Sequence, residues 1–394
     1  MLTLLVAPTD SRSVISRFSH RLAVLACGVF AILAIATNAH AFPTQWSTEV
    51  VDSGWTVGWY SSIALDNSWQ PHIAYYNYSS TSVQYASWDG ASWDIETVTS
   101  AGRRQGVSLA IDHTGVPHIS MRDYDDGQLV YATKPTSSWV VESVATIGAP
   151  AVARTHIAVD GTGNPGIVAH GSASGNPGLH YARKTGGSWQ TGLVTANGGD
   201  AAVCYDSKEV PNISFHDGSN LKYAKLNGTS WDIQTVDADG WTGWYTSLVI
   251  DAADCPHISY LHRGDLDLKY AHWNGSSWDT ETVDSQNETG FYSSLALDAL
   301  GKPSIAYYDR VAQGSGELRF AALDGTSWLI QTIDSSGDVG RYSSLAIDSD
   351  GWAHIAYYDD GSNDLKYAKG VPEPATLALL AVGAVGLVAA RKGR

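Results

Sequence analysis

The sequence predicts an all-β fold, a single seven-bladed β-propeller of four-stranded blades, and three observations carry that expectation. An Asp that ends an apolar "SLAID"-like run recurs at Asp66, Asp112, Asp160, Asp206, Asp251, Asp298 and Asp348, at intervals of 46, 48, 46, 45, 47 and 50 residues. A period in this range fits one blade of four short strands. Each unit holds four β-branched and aromatic segments, in the first unit "SSIALD", "PHIAYYN", "SVQYA" and "SWDIETV", separated by turn residues. Finally, the last unit stops after its third segment, whereas residues 44–52 form a lone fourth one. Joined, the two complete a blade, so the first strand of the exported chain is expected beside Leu365–Ala368, leaving no orphan edge at the seam.

The turns support each element. Between segments one and two, "DHTGVP" and "DGTGNP" place Asp first and Gly fourth, as in a type I turn whose Asp side chain bonds back to its own backbone. Between segments three and four, Asp89-Gly90, Asn227-Gly228, Asn274-Gly275 and Asp324-Gly325 supply the positive φ of a tight hairpin. The second segment is apolar on both faces, as a strand between neighbouring blades requires. The fourth alternates, with Asp94 and Glu96 opposite Trp93 and Ile95, and is expected as a solvated outer edge. Trp46, Trp93, Trp139, Trp189, Trp231, Trp278 and Trp328 open that strand once per unit. A residue present in every blade is expected to pack blades together.

Both ends carry processing signals. Arg12, Arg17 and Arg21, an apolar run over 22–35 and Ala39-His40-Ala41 have the order of a signal peptide spanning 1–41. The propeller is then assigned to 42–370. Residues 371–394 hold Val371-Pro372-Glu373-Pro374, an apolar run of sixteen residues over 375–390, and Arg391, Lys392 and Arg394. The run is a little short of the ~20 residues of a spanning helix, and basic residues after it belong on the cytoplasmic side. This tail resembles the PEP-CTERM sorting signal. The resemblance implies an exosortase-type processing enzyme as partner, transient membrane attachment through the C-terminal helix, and delivery to the cell surface or extracellular matrix. The Asp turns also resemble the Asp-box of sialidase-like propellers, although Gly here follows Asp by three residues and not by two.

Composition excludes some partners. Removing the six Lys and Arg and the two Asp and Glu outside 42–370 from the totals of 24 and 40 leaves a formal net charge of −20. Such a surface repels nucleic acid and anionic lipid. Cys204 and Cys255 survive removal of the signal and could pair in an oxidising compartment, but they occupy different positions of adjacent units.

Ligands are expected at one mouth of the ring, where the loops joining strand four to strand one and strand two to strand three converge. At the end of strand two the column runs Tyr76, Arg122, His170, His216, His262, Tyr308 and Tyr358. At the start of strand one, paired columns run Trp59-Tyr60, Gln105-Gly106, Ala153-Arg154, Gly199-Asp200, Trp244-Tyr245, Phe291-Tyr292 and Arg341-Tyr342. Blades 5, 6, 7 and 1 thus form an aromatic sector, and blades 2–4 a sector of Arg, His and Asp.

The candidate ligand-binding residues are Trp55, Trp59, Tyr60, Trp241, Trp244, Tyr245 and Phe291. They include the near-copies "GWTVGWY" and "GWTGWY", and their flat faces with polar edges suit a sugar ring or a protein patch. The preferred reading is a non-catalytic propeller that binds an extracellular polysaccharide or a surface protein, with no cofactor. The alternative is a polysaccharide-degrading enzyme, lyase- or sialidase-like, in which Arg122 neutralises a uronate, His170 or His216 removes a proton and Tyr308 acts as acid. No metal site is assigned, because equivalent residues of successive blades diverge from the axis and do not converge on one ion.

Overall fold

A computed structural model describes residues 43–148, 154–173 and 176–372. The signal peptide, the apolar run over 375–390, Glu373 and Pro374 lie outside the described residues. Among those described, 28 strands form seven antiparallel four-stranded sheets. Blade 1 is Val57–Leu65, Pro71–Asn77, Ser82–Trp88 and Trp93–Thr99, in that order from the axis outward. Blades 2 to 6 repeat the plan. In the last blade Val339–Ile347, Ala353–Asp359 and Asp364–Pro372 are followed in space by Pro43–Asp52, so the ring closes where the sequence predicts. Val51, Leu365 and Tyr367 share one core cluster with Val57 and Ile73 of blade 1. Gln45–Val371 is a compact unit of its own.

The innermost strands show how the blades are joined. Strand one pairs with strand two on one side only, which leaves backbone N–H groups facing the preceding blade that require acceptors. Ser62 Oγ accepts from Leu109 N at 3.0 Å, Ser108 from Ile157 N at 3.2 Å and Ser247 from Leu295 N at 3.0 Å. Ser294 accepts from Leu345 N and Ser344 from Ile63 N. In blade 3 His156 Nδ1 takes the role, accepting from Val203 N at 3.2 Å. A second circuit runs one residue higher: the hydroxyls of Ser61, Ser293, Ser343 and Thr155 donate to the carbonyls of Tyr342, Tyr245, Tyr292 and Gly106 in the preceding blades.

At the rim the tryptophan column packs blade on blade. Each Trp sits edge-on to the strand-three aromatic of the preceding blade, with centroids 5.1–5.5 Å apart, from Trp46 on Phe320 and Trp93 on Tyr367 round to Trp328 on Tyr270. The indole N–H of Trp93 donates to Glu49, that of Trp278 to Gln234 and that of Trp328 to Glu281, all on the preceding strand four. The polar face of that strand is therefore only partly a solvent face, with Asp94 exposed and its Glu or Gln neighbour turned toward the next blade. Glu96 turns to the next blade and binds Lys134, while Ile95 is the exposed member of the pair. Carboxylates can only accept, so the strand-three tyrosine is tied down by a relay. His118 receives Tyr131 Oη at 2.6 Å and gives its Nε2–H to Asp112 at 3.3 Å.

Asp112 closes its turn as the sequence predicts. Gly115 N bonds to its carbonyl, and Thr114 N and Val116 N to its Oδ1. Burial alone would raise its pKa, but these bonds and that from the Thr114 hydroxyl hold it at about 2. Both cysteines are free thiols.

Two measurements test this ring. Deleting residues 43–52 strips the outer strand from the last blade, and the unfolding midpoint is expected to fall by roughly 10 °C or more, with Leu365–Ala368 losing amide-exchange protection. Unchanged protection there would sink the seam. The second concerns His156, whose pKa burial lowers to about 4 against the bond from Val203. Below pH 6.5 the unfolded chain gains a proton that the ring refuses until about pH 4, so stability falls as pH drops through that window, by up to about 3 kcal/mol. His156→Ser keeps the acceptor used in the other blades and is expected to flatten denaturant-derived stability between those pH values. Equal slopes in the two proteins would clear His156.

Candidate functional site

The mouth is built by a bulge in strand one. In blade 1 Trp59 faces Tyr76 and Ser62 faces Ala74, so the first strand has one residue more than its partner and Tyr60 is squeezed out at φ 55°. Tyr245, Tyr292 and Tyr342 adopt the same conformation at φ 53–54°. The bulge turns their rings over the central channel, a space of about 460 Å³ lined by the first strands. There Tyr60 packs on Tyr342 at 4.8 Å, Tyr342 on Tyr292 at 4.7 Å and Tyr292 on Tyr245 at 4.8 Å. Tyr60 and Tyr245 therefore belong to a four-ring stack around the channel entrance.

The sequence column at strand two needs one correction. The register sets Leu261, not His262, opposite Trp244, while His262 faces Thr242. His262 is buried, with Nδ1 accepting from Asp265 N at 3.0 Å. His170 and His216 hold the position facing the mouth; Leu261 stands there in blade 5.

The candidate aromatics separate into covered and open groups. Trp244 is sandwiched between the His216 ring, stacked at 4.2 Å, and the Arg263 guanidinium at 4.4 Å. Trp59 lies against Tyr78 at 5.1 Å and Tyr342 at 6.1 Å. Phe291 carries Arg310 over its ring at 5.2 Å. In contrast, Trp55 is 85% exposed and Trp241 60%. Their loops look like copies but are offset by one residue. Tyr78 N bonds to Thr56 O as Arg263 N bonds to Trp241 O, so Trp241 is equivalent to Thr56, and Trp55 to Gly240. Both open tryptophans have positive φ, 73° at Trp55 and 57° at Trp241, a conformation costing a bulky residue about 1 kcal/mol or more.

The residues of the catalytic alternative have prior commitments. Arg122 is fully buried, and its guanidinium donates to the carbonyls of His170 at 2.8 Å and of Ile147 and Gly148. Burial lowers its pKa to about 10. Tyr308 Oη is buried and donates to Asp338 at 2.7 Å, and burial, reinforced by that carboxylate, raises its pKa above the usual phenol range. His170 is half-buried, and burial followed by the Arg122 charge lowers its pKa. His216 is lowered too, chiefly by burial. The acidic loops are spent on their own turns: Asp123 Oδ1 accepts from Asp125 N and Asp126 N, and Asp359 Oδ1 from Gly361 N and Ser362 N.

Arg154 is the feature that residue type alone did not single out. It replaces tyrosine in the bulge column, and its guanidinium lies over Tyr245 at 4.3 Å and Tyr292 at 5.0 Å. Its nearest carboxylate oxygen is Asp200 Oδ1, 3.9 Å from Nε. The signal was present in the column as one cation among four tyrosines.

Closed rings of radial four-stranded sheets define the β-propeller class. Within that class, AofleA of Arthrobotrys oligospora is similar with a TM-score of 0.51 at 12% identity, over 74% of this chain and 90% of that one. The Aleuria aurantia lectin in complex with Fucα1-6GlcNAc gives 0.50 at 12% identity, over 71% and 96%. A Dyadobacter fermentans protein of unknown function gives 0.50 at 12% identity, over 84% and 99%. These likenesses establish the fold. No curated protein sequence matches the chain. Residues 370–394 match the PEP-CTERM protein-sorting motif, which marks the propeller for export and sorting to the cell surface. Val371 and Pro372 of that motif end the strand Asp364–Pro372. Among the described residues no helix is long and apolar enough to cross a membrane.

The buried role of Arg122 yields a prediction. Arg122→Ala orphans three carbonyls and opens a cavity, so an equilibrium denaturation curve should show a loss of about 3 kcal/mol. An unchanged midpoint would mean that the guanidinium is not a structural tie.

Proposed function

We propose that this chain is a non-catalytic binding module of the extracellular matrix that holds polysaccharide at the propeller mouth. The observation that carries the reading is the pair Trp55 and Trp241, 85% and 60% exposed, in loops on the same face of the ring and in a backbone conformation that bulky residues avoid. A solvent-exposed indole contributes little to folding, so its strain is accounted for by what it contacts from outside. Indole faces suit the apolar faces of pyranose rings. The fold is compatible, since a propeller lectin of similar architecture has been crystallised with Fucα1-6GlcNAc.

Enzymatic degradation is the weaker reading because Arg122 and Tyr308 are buried and hydrogen-bonded within the ring. The test is a glycan array read beside an assay for unsaturated sugar products. Trp55→Ala and Trp241→Ala should each weaken glycan binding about tenfold, the cost of a lost stacking contact of about 1.4 kcal/mol, with the unfolding midpoint unchanged or slightly raised. Binding that survives both substitutions would remove the rim from the site. Capture of a surface protein with no glycan bound would favour the protein-binding version, and product formation that His170→Ala abolishes would establish the enzyme.

A further inference from the structure

The polar sector of the mouth contains hydrogen-bonding groups that the ring leaves unused. Arg154 makes no hydrogen bond from its Nη atoms among the described residues; its interactions are the two tyrosine faces and the loose approach to Asp200. Asp200 is buried and accepts from Tyr245 N at 3.3 Å through Oδ2, while Oδ1 has no hydrogen-bond partner. His216 Nδ1 accepts from Gly218 N at 3.0 Å, which fixes the tautomer with the proton on Nε2. Among the described residues neither that Nε2 nor the His170 ring makes a hydrogen bond. In the ladders His216 pairs with Gly199, the residue before Asp200, and Ala169, the residue before His170, pairs with Thr155, the residue after Arg154, so the four side chains come together where blades 3 and 4 meet at the mouth. Gly106 stands in the bulge column in place of a tyrosine, so no ring covers the cluster from blade 2.

The charges of this cluster decide what it can hold. Arg154 and Asp200 cancel, and burial keeps both histidines on the neutral side at pH 7. The cluster therefore has no net charge within a propeller whose formal charge is −20, and an anionic ligand gains nothing from it. A hydroxyl group fits better, because it both donates and accepts. One oxygen about 2.8 Å from each of two atoms 3.9 Å apart sits at roughly a right angle between them, within ordinary hydrogen-bond lengths. Such a hydroxyl would accept from Arg154 and donate to Asp200 Oδ1, and its neighbour on the same ring would reach His216 Nε2–H or His170.

Resting on the polysaccharide reading above, we propose that Arg154, Asp200, His170 and His216 form a subsite for the hydroxyl edge of an uncharged pyranose, selecting neutral over uronate or sulfated glycans. Tyr245 and Tyr292, whose faces Arg154 covers, wall it on one side, and Trp241, in the loop from blade 4 to blade 5, is the open tryptophan on the adjoining part of the rim.

The experiment is calorimetric titration of the whole exported protein with neutral oligosaccharides (mannose-, galactose-, glucose- and fucose-ended) and with oligouronates and sulfated oligosaccharides. The expected result is at least tenfold tighter binding of one neutral series. Arg154→Leu should weaken that binding about tenfold. Asp200→Asn keeps the shape and leaves the cluster net positive, so acidic oligosaccharides should gain about tenfold while the neutral ligand changes less than threefold. This gain requires a folded protein, so it cannot arise from misfolding. Preferential binding of acidic glycans by the wild type would overturn the proposal. So would a neutral ligand that is lost in Trp55→Ala and Trp241→Ala but indifferent to Arg154→Leu, with no gain of acidic ligands in Asp200→Asn; that outcome leaves the rim reading standing. Failure of every glycan to bind overturns both.

Discussion

A propeller has to satisfy the inner edge of every blade, and here six of the seven blades do so with a side chain that reaches across to the neighbouring sheet, Ala202 holding the position in blade 4. The first strand of each blade has only one hydrogen-bonded partner strand, and the geometry of a ring prevents a second. Ser62, Ser108, Ser247, Ser294 and Ser344, with His156 in blade 3, supply the missing acceptors. Each such bond contributes on the order of 1 kcal/mol, but the larger effect is directional. An acceptor held by one sheet and a donor held by the next fix the angle between them, and the same angle repeated round the axis positions the bulge above. The tyrosine stack, Arg154 and the mouth follow from that circuit.

The outer rim works by a different force. There the Trp column buries apolar edges against the Tyr and Phe of the preceding blade, and the Asp-His-Tyr relay prevents the tyrosine ring from turning. Blade 6 shows which part is dispensable: Ser304 and Phe320 stand where blades 1, 2, 5 and 7 have His and Tyr, yet Trp46 still packs on Phe320. The ring contact persists without the relay. Blade 2 shows the converse. Lys134 takes the Glu96 carboxylate, and the Trp139 indole N–H is left buried without an acceptor.

How much of this was legible in the sequence depends on the range of the interaction. Spacing of Asp, turn chemistry and the missing fourth segment are local or periodic, and they sufficed for the blade count and for placing Pro43–Asp52 beside Asp364–Pro372. Single-residue offsets were not visible. In blade 5 the alternation of residue types around "YLH" points to His262 for the mouth column, whereas the ladder sets Leu261 there. The words "GWT" are alike, but the equal distance from Asp52 to Gly58 and from Asp237 to Gly243 aligns Trp241 with Thr56. The commitments of Arg122 and Tyr308 were hidden for another reason: their partners, Gly148 and Asp338, come from neighbouring loops brought close only by the fold.

The seam has a mechanical corollary. Asp364–Pro372, through which the chain leaves toward its sorting motif, is flanked by Ala353–Asp359 on one side and by Pro43–Asp52 on the other, whereas the fourth strand of every blade has a free edge. A pull along that exit acts parallel to two hydrogen-bond ladders and must shear both at once, without an edge from which to peel. A molecule fastened at this end and dragged by flowing liquid or by a polymer gripped at its mouth would bear the load through a strand paired on both sides.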